Sequence, residues 1–155
     1  MRNKLIIGIA FLLCAALHVS AQNKDDILGY WLDEKQETVV RIYEDNGLYF
    51  ARIEWLQDSL DVFGNPRRDV LNDDAELRSR LVLGTDMLIG FQWDGEDSWR
   101  KGEIYYYQTG NDYNGKISLG EEGKLKLKGY FSILFFLGRT KTWQRLDDPT
   151  AYGLE

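Results

Sequence analysis

The stretch Gly129–Leu146, GYFSILFFLGRTKTWQRL, joins an apolar run to a strictly alternating segment. From Tyr130 to Leu137 only Ser132 is polar, and this run is far too short for a bilayer span of about 20 residues. Three interpretations stay open for it: a fully buried strand, the lining of an apolar cavity, or a surface that another element covers.

The second half of this stretch has the period of a β-strand. Its alternate residues share one face: Arg139, Lys141, Trp143 and Arg145. β-Branched and aromatic residues in such alternation are typical of strands. We therefore predict a terminal strand paired with Gly29-Tyr30-Trp31, and Arg139, which follows the apolar run, is the best candidate for a partly buried cation.

The first 21 residues have the pattern of a secretory signal peptide. Arg2 and Lys4 form a positive region, Leu5–Leu17 is an apolar core, and Val19-Ser20-Ala21 is a small-residue cleavage site. A membrane anchor is the alternative, but the apolar core is shorter than a span. We expect cleavage after Ala21 and export to the periplasm or the cell exterior, with no transmembrane segment left.

Cleavage would also remove the only cysteine, Cys14, and the only histidine, His18. The mature chain would then have no disulfide, no Cys-His or Ser-His-Asp catalysis, and no ordinary zinc, copper or haem site. We therefore predict no cofactor and no metal. Without Arg2 and Lys4, 17 basic residues face 25 acidic ones, a net charge of −8, which argues against a nucleic-acid partner.

For the remaining chain we predict one domain, residues 22–147, followed by a tail at 148–155. Turn signals such as Asp45-Asn46-Gly47 and Asp94-Gly95 separate short strand patterns. The predicted strands are Leu28–Leu32, Thr38–Tyr43, Leu48–Leu56, Asp86–Trp93, Gly102–Tyr107, Asp112–Leu119, Lys124–Phe131 and Leu134–Leu146. Their up-and-down order predicts an all-β fold, a small antiparallel barrel that closes and so removes its exposed edges.

One long connection, Gln57–Arg80, interrupts this strand pattern. A compact domain rarely tolerates such a length without function or internal order. Asp73 followed by Glu76 has the spacing of a capping box and predicts a short helix or helical turn from about Asp73 to Arg80. The acidic cluster that begins at Asp69 has an alternative interpretation as a calcium site, but it lacks the ligand spacing and glycine of that loop.

Aromatic residues are unusually frequent: the sequence has 21, and only Phe11 precedes Ala21. Tyr105, Tyr106 and Tyr107 are consecutive, so on a strand they must point to both faces. Two interpretations stay open for this surplus, an aromatic cleft that binds apolar rings or sugars, and simple barrel packing with interfacial hydroxyl groups.

Several short patterns occur together in a familiar order and spacing. They are Gly29-x-Trp31, Asn72-Asp73-x-x-x-Leu77-Arg78-x-Arg80 with Leu83-Gly84, Gly102-x-Ile104-Tyr105 with Gly110-x-x-Tyr113, Leu125-x-Leu127-x-Gly129-Tyr130, and Gly138-Arg139-Thr140-x-Thr142-Trp143-x-Arg145. From Gly29 to Arg145 the chain resembles DUF2147, a family of exported bacterial proteins. The resemblance implies a small antiparallel barrel like the lipocalin and fatty-acid-binding folds, with no established activity.

Two positions depart from the family's usual pattern. Asn72-Asp73-Asp74 stands where Asn-Pro-Asp is usual, and Tyr105-Tyr106-Tyr107 stands where Tyr-Asp-Pro precedes a glycine. The likeness to lipocalins also implies a structural role for Trp31, which would pack beneath Arg139 or Arg145 through a cation–π contact.

We expect a non-enzymatic exported protein that binds a small apolar or amphipathic ligand. The candidate ligand-binding residues are Trp31, Tyr105, Tyr113, Arg139 and Trp143. The alternative is an envelope protein that binds another macromolecule through residues 57–80, with Asn72, Arg78 and Arg80 as candidate surface residues. An enzyme would have to use carboxylates, Tyr or Lys, and no spacing singles out a catalytic pair. No feature of the sequence indicates an oligomeric state.

Overall fold

The computed structural model describes residues 22–130 and 139–155. Its strands are β1 Gly29–Leu32, β2 Thr38–Asp45, β3 Leu48–Leu56, β4 Asp86–Trp93, β5 Ser98–Tyr106, β6 Asn111–Leu119, β7 Leu125–Tyr130 and β8 Arg139–Arg145. Each strand pairs with its sequence neighbours, and β8 returns to pair with β1. The predicted closed antiparallel barrel of eight strands is confirmed.

Two predicted segments lie wholly or mostly outside the described residues. One is the signal peptide at residues 1–21, and the other is the apolar run Tyr130–Leu137, of which only Tyr130 is described. The predicted extension of β8 back to Leu134 falls there as well. No helix in the described part of the chain has the length and hydrophobicity to cross a membrane.

The hairpin turns follow from local sequence. Asn46 and Gly47 form the two-residue turn between β2 and β3, with φ angles of 52° and 81°. Two successive residues at positive φ give the turn a twist that matches the flanking strands, and Asn-Gly is the dipeptide that adopts this conformation most readily. The predicted hairpin at Asp45-Asn46-Gly47 is therefore present.

The first and last strands meet where the barrel closes. Trp31 lies opposite Arg145 and Leu32 opposite Gln144 across the β1–β8 pair. The residues that follow also pack on the barrel: a 3₁₀ turn at Pro149–Tyr152 places the Tyr152 ring edge-on to Trp55, with centroids 4.8 Å apart.

One end of the barrel is filled by its own side chains. Its fully buried residues include Ile27, Trp31, Phe91 and Trp99. Phe91 occupies space left by Gly102 and Gly115. Cβ atoms built at these two positions would lie 2.4 Å and 2.7 Å from its ring. This is the end with the β2–β3, β4–β5 and β6–β7 turns. The largest fully buried side chains therefore lie toward this end of the barrel.

The long connection between β3 and β4 leaves from the opposite end. It contains one short 3₁₀ turn, Ala75–Ser79, which lies within the range Asp73–Arg80 where a short helix or helical turn was predicted. The cap is Asp74, whose carboxylate accepts a hydrogen bond from the Glu76 backbone N–H at 2.9 Å. The predicted capping box at Asp73 is therefore wrong. An extended bridge pairs Arg68 with Leu81 on either side of this turn.

Candidate functional site

A cavity of about 460 Å³ occupies the other end of the barrel, where the β1–β2, β3–β4, β5–β6 and β7–β8 connections lie. Its described lining combines apolar, aromatic and a few polar residues. They are Asp33, Lys35, Glu37, Thr38, Met87, Ile104, Tyr106, Tyr107, Gln108, Thr109, Tyr113, Leu127, Gly129, Tyr130, Lys141 and Trp143.

Strand register explains which side chains enter this cavity. Trp143 lies opposite Leu125, and Lys141 lies opposite Leu127. Directly opposed residues of an antiparallel pair point to the same face of the sheet, and both leucines are buried inside the barrel. Lys141 and Trp143 therefore point inward together.

Gly129 leaves part of the cavity open. It lines the cavity on β7, and a Cβ atom built there would make only an ordinary contact, 3.5 Å from the Tyr113 Cβ. A larger side chain at this position would project into the cavity without a backbone clash. The size of the cavity thus depends on the absence of a side chain at residue 129.

Lys141 supplies a cation to an otherwise largely apolar wall. Its ammonium group donates a hydrogen bond to the Tyr106 hydroxyl at 3.3 Å and lies 4.8 Å from the centroid of the Tyr106 ring. No carboxylate of the described residues lies within 4 Å of this nitrogen. Of the described lining residues that lie on strands, Lys141 alone is charged.

Tyr107 lies at the rim and borders two spaces. It lines the cavity, and together with Gln108 it also lines a groove between the β5–β6 turn and the β3–β4 connection. Burial raises the pKa of Tyr107, although its hydrogen bond with Thr38 and the nearby Arg67 oppose this shift. The rim therefore presents a neutral phenol at physiological pH.

A buried polar network lies on the outer face of the barrel, beneath the β3–β4 connection. The Tyr105 hydroxyl donates to one oxygen of Asp69 at 2.5 Å. The other oxygen accepts hydrogen bonds from Asn72 at 2.9 Å and Arg80 at 2.8 Å. Burial, with the adjacent Asp69 carboxylate, raises the pKa of Tyr105 to about 12. The network attaches the connection to β5.

This attachment brings two backbones into close contact. A Cβ atom at Gly110, in the β5–β6 turn, would lie 1.7 Å from the Leu71 carbonyl oxygen. Gly110 also has a φ of 74°, so both space and backbone conformation require glycine here. The connection is therefore held to the barrel by the buried network and by backbone packing.

The five candidate ligand-binding residues are divided among different parts of the barrel. Tyr113 and Trp143 line the cavity. Trp31 lies in the packed end and donates from its indole to the Ile27 carbonyl at 2.8 Å. Tyr105 lies on the outer face, in the polar network. Arg139 opens β8 opposite Gly129, and its side chain is outside the described residues.

The predicted cation–π contact of Trp31 is confirmed, with Arg145 as the partner. The Arg145 guanidinium lies 4.3 Å from the Trp31 ring centroid. It also donates to the backbone carbonyls of Leu28, at 2.9 Å, and Asp26. Arg145 thus covers the packed end of the barrel.

The three candidate surface residues make contacts within the chain. Asn72 is buried, and Arg80 pairs with Asp69. Arg78 is exposed, and its guanidinium donates to the Asn72 carbonyl at 2.7 Å. In the described ranges, no three His, Cys, Asp or Glu residues are grouped to hold a metal ion. Asp69 is instead bonded to Tyr105, Asn72 and Arg80.

Several cavity residues were not among the sequence candidates. The most informative are Lys141, Tyr106, Ile104, Leu127 and Met87. The alternation in β8 placed Lys141 on the same face as Trp143, which was a usable signal. The pairing of β8 with β7 decides that this face points into the barrel, and no local sequence pattern predicts that pairing.

The fold and the cavity together define a class, the lipocalin-like β-barrels. The chain belongs to the DUF2147 family, whose model matches residues 29–145. The family is described as an uncharacterized protein conserved in bacteria. One similar solved structure is described as protein HP1028 from the human pathogen Helicobacter pylori, which belongs to the lipocalin family. It shares 23% identity over 83% of this chain and 90% of that chain, with a TM-score of 0.71. No curated protein matches the chain.

Proposed function

We propose that this protein is an exported, non-enzymatic binding protein that holds a small apolar or amphipathic molecule in the barrel cavity. The observation that carries this proposal is the open cavity of about 460 Å³, which falls within the usual range for small-molecule sites. Its wall includes Met87, Ile104, Leu127 and Trp143. Burial of apolar ligand surface against such a wall is the main source of affinity.

The distribution of side chains inside the barrel supports this proposal. An eight-stranded barrel is wide enough either to be filled by its own residues or to hold one small ligand. Here Phe91 and Trp99 fill one end, while Gly129 leaves space at the other. Of the five sequence candidates, Tyr113 and Trp143 are retained as ligand contacts.

The chemistry of the chain favours binding over catalysis. The sequence has one histidine and one cysteine, and both precede Ala21. The cavity wall offers phenols and one inward-facing lysine, and the buried carboxylate of Asp69 lies outside the barrel, where Tyr105 and Arg80 bond to it.

A cavity-filling variant tests the proposal directly. Gly129→Leu places an apolar side chain in the cavity and should leave the fold intact, because strands favour leucine over glycine. We expect the neutral dye N-phenyl-1-naphthylamine to bind the natural chain, with the dye receiving energy from Trp143 on excitation, and to bind Gly129→Leu at least about tenfold more weakly.

Lys128→Leu is the matched control, since Lys128 is next to Gly129 in sequence but is exposed on the outer face of β7. It should bind the dye with unchanged affinity. Native mass spectrometry of protein purified from its source would reveal any ligand retained from the cell. Equal dye affinity in Gly129→Leu and the natural chain would place the dye outside the cavity and defeat the proposal.

A second candidate function has its own supporting observation. The β3–β4 connection exposes Val62 and Phe63, at 93% and 86%, together with Leu60 and Val70. The loop that carries them is ordered, because the Asp61 carboxylate accepts hydrogen bonds from the backbone N–H groups of Phe63 and Asn65. Ordered, exposed apolar side chains are typical of surfaces that contact another macromolecule.

The second candidate is tested by changing only this loop tip. Val62→Ser with Phe63→Ser should abolish capture of any partner from envelope extracts and leave dye binding unchanged. Ile89→Ser, at a partly exposed apolar residue on β4, is the control. Unchanged capture by the double variant would exclude the loop tip as the docking surface.

A further inference from the structure

Lys141 occupies an unusual position for a charged residue. It lies on β8 opposite the buried Leu127 and shares its face with Trp143, so its side chain enters the barrel. Lys141 is partly buried, and removal of a charge from water is costly unless the charge is paired. A ligand that supplied the opposite charge would offset this cost.

Among the described residues, the partners of Lys141 leave donor capacity unused. A lysine ammonium group has three N–H donors, and one of them reaches the Tyr106 hydroxyl. The ring of Tyr106 adds a cation–π contact. Among the described residues, no carboxylate lies within salt-bridge distance of the ammonium group.

The other charged residues of the cavity lie at its rim, in the β1–β2 turn. The Asp33 carboxylate accepts hydrogen bonds from the backbone N–H groups of Glu37, at 2.7 Å, and Thr38, at 3.1 Å, and so is used to form the turn. Lys35 and Glu37 are exposed to solvent. The inward-facing charge on the described strands is therefore positive.

We propose that the ligand of the cavity is an amphiphile with one anionic head group, a carboxylate or a phosphate, bound by Lys141. This inference rests on the proposed binding function. The head group accepts a charge-assisted hydrogen bond from the ammonium group, beside the Tyr106 hydroxyl. The apolar tail lies against Leu127, Trp143 and Met87, which line the same cavity.

The test compares ligands that share one chain and differ in the head group. Dodecanoate, methyl dodecanoate and monododecyl phosphate, each below its micellar concentration at pH 7.4, displace N-phenyl-1-naphthylamine from the cavity. In the natural chain we expect at least one of the two anions to bind about tenfold or more tightly than the neutral ester.

Lys141→Met keeps most of the length of the side chain and removes its charge. This variant should bind the anions and the ester with similar affinity. Lys128→Met, on the outer face of β7, should retain the full preference for the anion. Lys141→Gln allows the same comparison if circular dichroism shows that Lys141→Met does not fold.

The outcomes separate this inference from the proposed function. Equal affinity of the natural chain for the anions and the ester would overturn the role of Lys141 and leave cavity binding intact. An anion preference that persists in Lys141→Met would also overturn it. Failure of the natural chain to bind the dye would overturn the proposed function, and this inference with it.

Discussion

At the scale of single residues, Trp31 and Arg145 join the first and last strands of the barrel. Trp31 is fully buried, and its indole N–H donates to the Ile27 carbonyl. Arg145 covers the ring and bonds to the backbone carbonyls of Leu28 and Asp26. This pair therefore links barrel closure to the segment that covers the packed end.

Removal of this aromatic ring should be costly. Trp31→Ala deletes a large buried side chain and leaves the Ile27 carbonyl without its donor. We expect a loss of about 3–5 kcal/mol in the free energy of unfolding, out of a total of about 5–15 kcal/mol for a domain of this size. Urea denaturation followed by circular dichroism measures this loss.

A double-mutant cycle then tests the stack itself, as part of the same prediction. Trp31→Leu and Arg145→Met, alone and combined, should show a coupling energy above about 0.5 kcal/mol, because the two side chains are in contact. Arg41, which lies over Tyr30 on the neighbouring strand, is the control, and Arg41→Met should combine additively with Trp31→Leu. Additivity between Trp31 and Arg145 would refute the cation–π stack.

At the scale of elements, the β4–β5 hairpin is organised by one carboxylate. Asp94 accepts hydrogen bonds from the backbone N–H groups of Glu96, Asp97 and Ser98, and from the Ser98 hydroxyl. Its salt bridge with Arg100 has a length of 3.0 Å. These bonds, led by that from the Ser98 hydroxyl, hold the pKa of Asp94 well below its ordinary value of 3.8.

This lowered pKa predicts a specific pH dependence. A carboxyl group whose pKa is depressed in the folded state stabilises the fold above its ordinary pKa, and the contribution is lost as pH falls toward the folded-state pKa. Asp94→Asn should therefore cost about 1–3 kcal/mol at pH 7. Its stability should approach that of the natural chain as pH falls below about 4.

Thermal melts between pH 7 and pH 2 measure this convergence. Asp58→Asn, at an exposed carboxyl in the β3–β4 connection, is the control and should change stability by less than about 0.5 kcal/mol. Parallel pH profiles for Asp94→Asn and the natural chain would show that the Asp94 charge does not stabilise the hairpin.

The β3–β4 connection has an inner side that is bonded to the barrel and an outer side that is exposed. Its inner side is tied to β5 by the bonds that Asp69 makes with Tyr105, Asn72 and Arg80. Its outer side exposes Val62 and Phe63. Asp69 and its partners therefore hold the connection to the barrel, while Val62 and Phe63 form an exposed apolar surface.

At the scale of the whole molecule, the barrel has a packed end and an open end. The packed end contains large buried side chains such as Trp31, Phe91 and Trp99. The open end contains the cavity, with Gly129 and Lys141 in its wall. This division allows the core to stabilise the fold while a cavity remains within the same barrel.

Much of the architecture is predictable from sequence because strand signals are local. Alternating apolar residues and turn dipeptides such as Asn46-Gly47 predict eight strands in their correct order. The error lies at the start of the helical turn predicted over Asp73–Arg80. Asp74 and not Asp73 caps this turn, and because both residues are acidic, the sequence alone does not decide between them.

The sequence by itself thus determined the antiparallel meander and its hairpin turns, whereas the contact of Trp31 with a late arginine was implied by the likeness to lipocalins. Only the tertiary structure decided that Tyr105 points outward to Asp69 while Tyr106 and Lys141 meet inside the barrel. The physical reason is that alternation divides a strand into two faces without saying which is inside. That choice depends on register and closure between residues more than 100 positions apart, such as Trp31 and Arg145.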